Sequence, residues 1–146
     1  MRYVVLIALM LAIATPVHAA ERGPCDDERF LRITPEEVRD NPNLVPGLIR
    51  CAAERWGVDV STALRVAECE SGMWPWAHGN ANYGLFQHRG IYWPERVRLL
   101  KPDWFNEAQW QRLPDVPRGP YVARANVLVT MRMVARSGGW SAWSCA

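Results

Sequence analysis

Lysine is almost missing from this chain of 146 residues: Lys101 stands alone, beside sixteen arginines. Charge of either sign is in little excess, with a formal net charge of +2 and no clustered basic face. That excludes a nucleic-acid partner, because phosphate backbones are held by concentrated positive patches. Long apolar runs are missing too. The longest, Val4–Ala14, covers eleven residues, against the roughly 20 needed to cross a bilayer, so no integral membrane segment is expected in the mature chain. Cysteines number only four, with no Cys-x-x-Cys spacing and no histidine pair; no metal centre and no cofactor is expected. Internal repeats, low-complexity tracts and long linkers are absent, and no stretch sustains the alternation of a long strand.

What is present is the material of a packed core: 49% hydrophobic residues and eight tryptophans, a composition that excludes disorder. Ahead of that core, Met1-Arg2 forms a minimal positive start, Val4–Ala14 an apolar stretch, and Val17-His18-Ala19 a cleavage site after the break at Thr15-Pro16. This pattern predicts a cleaved secretory signal over residues 1–19 and a secreted or envelope location, with an uncleaved anchor or a buried helix as the rival. Cys25 follows Gly23-Pro24 instead of a lipoprotein box, so no lipid is expected on it. Removing Arg2 with the leader leaves 16 basic against 15 acidic residues. About 126 residues remain, a single-domain length, read as an N-terminal arm over 20–45 and a domain over 46–146, expected as a monomer. In an exported chain four cysteines read as two disulfides, with three pairings open. Cys25 with Cys51 and Cys69 with Cys145 is preferred, since it ties the arm to the first long helix and the C-terminus to the helix before Gly72.

The punctuation predicts a mainly α domain with at most a small β-hairpin. Thr34-Pro35-Glu36-Glu37 reads as a cap, a proline at the first helical position and an acidic first turn. Pro46–Trp56 reads as a helix stopped by Gly57, and a third runs from a cap at Asp59 or Ser61 to Gly72. Further helices are expected from Trp93 through Leu100, over Asp103–Gln111 and over Tyr121–Arg136, with Leu113–Pro120 irregular. Trp140 and Trp143 are expected to pack the C-terminus.

The third helix carries the chemistry. On a helical wheel Val60, Ala63, Leu64, Val66 and Ala67 share one apolar arc, and Glu70 falls inside it. Glu68 points away, beside Ser61 and Arg65, as a surface charge. A carboxyl on an apolar face holds its proton more tightly or finds a partner, and a protonated carboxyl near neutral pH is what a general acid requires. The loop that follows ends in Tyr83-Gly84-Leu85-Phe86-Gln87, where glycine would admit a close ligand and Gln87 offers both donor and acceptor. Trp74 and Trp76, in the same loop, are the tryptophans that could stack on a ligand. His78 and His88 read as surface or cleft-rim groups.

Glu70-Ser71-Gly72, then Pro75, then Gly84-Leu85-Phe86-Gln87, with Asn126 opening a late helical segment, resembles the lysozyme-like lytic transglycosylases. The ending Gly138-Gly139-Trp140-Ser141-Ala142-Trp143-Ser144-Cys145 is similar to their actinobacterial branch, related to resuscitation-promoting factors. The resemblance covers about residues 46–145. It implies a lysozyme-like fold and a Cys69–Cys145 link, as that branch often pairs a cysteine before the catalytic glutamate with one at the end. It also implies Glu70 as single acid/base, Gln87 lining the cleft, Ser71 orienting or touching sugar, and Tyr83 and Phe86 in the saccharide floor. Phe86 stands where methionine is common, and the Ala-Tyr-Asn motif of larger relatives is missing, with Tyr121 as stand-in for its tyrosine.

The implied partner is the glycan strand of peptidoglycan, and the implied reaction is cleavage of its N-acetylmuramic acid to N-acetylglucosamine β-1,4 bond, leaving 1,6-anhydro ends. A retaining hydrolase would need a second carboxylate about 5–5.5 Å away, an inverting one about 6.5–9.5 Å away. Glu95, Asp103 and Glu107 are the acids available, none in a signature context, so transglycosylation is preferred over a muramidase. Two readings from different classes stand beside the enzyme: a non-catalytic peptidoglycan-binding module, and a disulfide-stapled protein that serves an envelope partner.

Overall fold

A computed structural model describes residues 23–146; the expected signal over 1–19 lies outside the described residues. The described chain is mainly helical, with a three-stranded antiparallel sheet and two disulfides. In order come α1 (Glu28–Leu31), α2 (Pro35–Asp40), α3 (Leu44–Trp56) and α4 (Val60–Ser71). Strands β1 (His78–Gly79), β2 (Asn82–Tyr83) and β3 (His88–Arg89) follow, then α5 (Trp93–Val97), α6 (Glu107–Arg112) and α7 (Ala123–Ser137). Among the described residues no helix is long and apolar enough to cross a membrane.

Local chemistry sets the helix ends. Thr34 and Glu37 close a reciprocal capping box on α2, and the Asp59 carboxylate accepts from the Thr62 N–H to start α4. Gly57, Gly72 and Gly138 end α3, α4 and α7 in the left-handed region, where a side chain would be strained. Helix α3 starts at Leu44 rather than Pro46, and Asp103–Gln111 splits into a 3-10 turn at Pro102–Trp104 and the separately capped α6. The helix expected through Leu100 ends at Val97. The segment read as an arm is part of the core: α1 buries Phe30, α3 buries Leu44 and Val45, and the boundary at 46 falls inside α3.

Helix α3 packs against both α4 and α7. Its Leu48, Ile49, Ala52 and Ala53 are buried, and their 3–4 spacing keeps them on one face. Helix α7 is the central element, buried continuously from Ala123 to Met131. Three of those buried residues are polar, and each holds a different part of the chain. Arg124 pairs with Asp26 at 3.0 Å and donates to the carbonyls of Pro24 and Trp104, pinning the N-terminal segment. Asn126 accepts from the Phe86 N–H at 3.0 Å and donates to the Pro120 carbonyl at 2.9 Å. Thr130 meets His88 at 2.8 Å. Burying polar groups is costly unless they are partnered; the partners of Asn126 and Thr130 include Phe86 and His88, on either side of Gln87 in the loop that lines the candidate site.

Both disulfides pair as expected. Cys25–Cys51 joins the N-terminal segment to α3, and Cys69–Cys145 joins the last turn of α4 to the C-terminus.

Candidate active site

Glu70 occupies the last turn of α4, half-buried rather than fully inside the apolar face, while Glu68 is exposed. It lines a mostly polar hollow of about 260 Å³. One wall is the C-terminal tail, Ala142-Trp143-Ser144, and the others come from Asn82 of β2, Gln87, Arg89 of β3, and Tyr92 and Arg96 around α5. The disulfide explains why the tail is there: Cys69 precedes Glu70 and Cys145 follows Ser144, so the link fixes the wall beside the carboxyl. Arg65 adds a hydrogen bond to the Cys145 carbonyl at 2.9 Å, and Trp143 donates from its indole to the Phe86 carbonyl at 2.8 Å.

Burial raises the Glu70 carboxyl above the ordinary range; the Cys145 backbone N–H works against that shift. The C-terminal end of a helix also disfavours negative charge. Among the described residues no ion pair involves Glu70, and it is the one carboxyl lining the hollow. Glu95 and Glu107 lie outside that lining, and Asp103 lines a separate hollow with Trp104 and Asn106.

Gln87 is turned into the left-handed region, φ 45°, and its amide nitrogen donates to the carbonyls of Ala77 and Gly84. Those bonds hold the turn that presents Gln87 to the hollow. Gly84 serves the protein rather than a ligand. A Cβ there would lie 2.2 Å from the Pro120 carbonyl oxygen and 2.3 Å from Asn126 Nδ2, and φ is +79°. Glycine lets the loop press against the start of α7.

Several expected site residues sit elsewhere. Phe86 is fully buried and packs on Trp140, so it supports the site from beneath and cannot touch sugar. Ser71 donates its hydroxyl to the Ala67 carbonyl within α4 and does not line the Glu70 hollow. Tyr121 lines a different, larger hollow of about 460 Å³ together with Trp76 and Arg118, which carries no carboxyl. Tyr83 turns toward Tyr121, their rings 6.0 Å apart. Strand geometry accounts for the split, since neighbouring residues face opposite ways. Asn82 pairs with Arg89 and both line the Glu70 hollow, whereas Tyr83 pairs with His88 and neither lines it.

His88 is not a rim group. It is 1% exposed, between the rings of Trp93 and Trp143. Burial, with the Arg96 charge adding to it, pushes its pKa down to about 3, so the ring is neutral. An arginine nitrogen can only donate, so His88 Nδ1 accepts from Arg96 at 2.7 Å. Nε2 then carries the proton and donates to Thr130, whose hydroxyl donates to the Asn126 carbonyl at 2.9 Å. A directed chain thus runs from α7 to a guanidinium in the hollow.

Asn82, Arg89, Tyr92, Arg96 and Ser144 escaped the sequence reading. The Asn82–Arg89 pairing was the available signal, but two-residue strands show no alternation long enough to read. Comparison with family models, with curated proteins and with solved structures finds no match.

Proposed function

We propose that this chain is an exported lytic transglycosylase of lysozyme-like fold that cuts the β-1,4 bond after N-acetylmuramic acid in peptidoglycan, with Glu70 as acid and then base. The observation that carries this reading is a lone, partly desolvated carboxyl in a polar hollow with no second carboxyl lining it. A single-carboxylate mechanism needs no more. Protonated Glu70 gives its proton to the glycosidic oxygen as the C1–O bond breaks, and the muramic N-acetyl oxygen steadies the positive charge at C1. The C6 hydroxyl oxygen then bonds to C1, and its proton passes to the Glu70 carboxylate, restoring the acid. Polar Gln87, Asn82 and Ser144 offer hydrogen bonds to sugar hydroxyls, and Tyr92, half-exposed, offers a ring face at the rim.

Two disulfides support the exported setting, since such bonds persist in oxidising compartments. The test is digestion of purified sacculi by the oxidised protein, with muropeptides read by mass spectrometry. Anhydro ends that disappear with Glu70→Gln and persist with Glu68→Gln are expected. Reducing ends in their place would make the protein a muramidase, and binding without products would make it a non-catalytic module.

A further inference from the structure

The hollow beside Glu70 contains more positive charge than the proposed bond cleavage uses. Arg89 and Arg96 both line it, against the single carboxyl of Glu70. Among the described residues neither guanidinium forms an ion pair. Arg89 is exposed, so its charge is solvated. Arg96 is different. It is half-buried, and burial disfavours its charge, yet its hydrogen-bond partner among the described side chains is the neutral ring of His88. A partly desolvated guanidinium without an anion is unfavourable, and a buried imidazole in one fixed tautomer is an elaborate support for a purely solvated arginine.

The support also leaves most of the guanidinium available. Of its five N–H donors, the His88 bond at 2.7 Å occupies one nitrogen, Nη1. The Tyr92 ring lies 5.5 Å from the guanidinium carbon and limits its swing. Arg96 is therefore held in place with donors left over, in a hollow where a ligand would sit.

We propose that Arg96, assisted by Arg89, forms an anion subsite that takes a carboxylate from the peptide carried by the muramic acid residue. The assignment rests on the peptidoglycan reading and adds a substrate preference to it: strands with acidic, unamidated stems over strands whose stems are amidated. A planar carboxylate matches the arginine fork. Occupation would also place negative charge near Glu70, which favours its protonated form. His88 acts here as a positioning residue, through Arg96.

The experiment is calorimetric titration of the mature, oxidised protein with N-acetylmuramyl-L-alanyl-D-glutamate, with its diamide, and with a β-1,4 N-acetylglucosamine oligomer, a peptide-free glycan that carries no carboxylate. A charge-assisted contact of this kind is expected to favour the dicarboxylate about tenfold or more. Arg96→Gln should remove that preference, so that the dicarboxylate and its diamide bind equally. Arg89 is exposed, so Arg89→Gln keeps the fold and should weaken the preference in the same direction, as should added salt. Equal affinity for acid and amide, or a preference that survives when Arg89→Gln and Arg96→Gln are combined, overturns the subsite while the glycan reading stands. Inorganic phosphate that competes as strongly as the dicarboxylate overturns the assignment to a stem carboxylate. Binding of neither muropeptide nor bare glycan overturns the glycan reading and the subsite together.

Discussion

Replacing both Cys69 and Cys145 by alanine opens a loop whose ends are 76 residues apart, whereas replacing Cys25 and Cys51 opens one of 26. In the chain-entropy treatment the first link contributes about 4.5 kcal/mol at 25 °C and the second about 3.5, a difference near 1 kcal/mol. For a domain of this size either loss corresponds to a fall of roughly 10–20 °C in Tm. Function should separate the two variants far more sharply than stability. The Cys69–Cys145 link holds the tail that walls the hollow, and without it the tail keeps only contacts such as the Trp143 indole bond to Phe86 and the Arg65 bond to residue 145. Water should then reach Glu70. Burial is the larger influence on that carboxyl and the Cys145 N–H the smaller, opposing one, so release of the tail should bring its pKa down toward the ordinary value. Urea unfolding under non-reducing conditions measures the stabilities, and a carbon-detected NMR titration follows Glu70. Sacculus digestion well below each Tm gives activity per folded molecule. The Cys69/Cys145 variant should lose activity several-fold, and the Cys25/Cys51 variant should keep it. Equal activities, an unmoved Glu70, or a larger stability loss at Cys25–Cys51 would refute the reasoning.

Three further outcomes rest on individual groups. Because Glu70 titrates above the ordinary carboxyl range, any stability it contributes is present below the unfolded pKa and lost as pH rises through the folded one. Glu70→Gln should therefore be no less stable than wild type at neutral pH, while wild-type activity should decline on the alkaline side as Glu70 ionises. His88 runs the other way: with its pKa down to about 3, its contribution is present above about 6.5 and lost as pH falls. From pH 7 to pH 5 wild type should lose about 2 kcal/mol more than His88→Gln, measured by denaturant midpoints, and equal losses would show the ring protonated in the fold. Gly84→Ala drives a Cβ into the Pro120 carbonyl and Asn126 at positive φ, a strain that should exceed about 2 kcal/mol; a Tm within a degree or two of wild type would contradict the close approach.

What could be read without coordinates was local. Caps and stops at Thr34, Asp59, Gly57 and Gly72 depend on a few neighbouring residues, so α2, α3 and α4 were placed nearly to the residue. Glu70 was legible for the same reason, since its place on the wheel follows from spacing alone. The four-residue α1 was not, because so short a helix rests on its cap at Asp27 and the burial of Phe30 rather than on periodicity.

Residue order alone was enough for α2, α3 and α4, the carboxyl at the end of α4 and the turn that ends in Gln87, while the cysteine pairing stayed one of three until the structure gave Cys25–Cys51 and Cys69–Cys145. Which surfaces meet was settled only by tertiary packing. It buried Phe86 and His88, turned Tyr83 and Tyr121 away from Glu70, and brought Asn82, Arg89 and Arg96 to it. The physical reason is range. A helix end or a glycine turn is specified by atoms a few residues apart, whereas the hollow is assembled by α7 holding the loop through Asn126 and Thr130, and by Cys145 holding the tail against a helix 76 residues away.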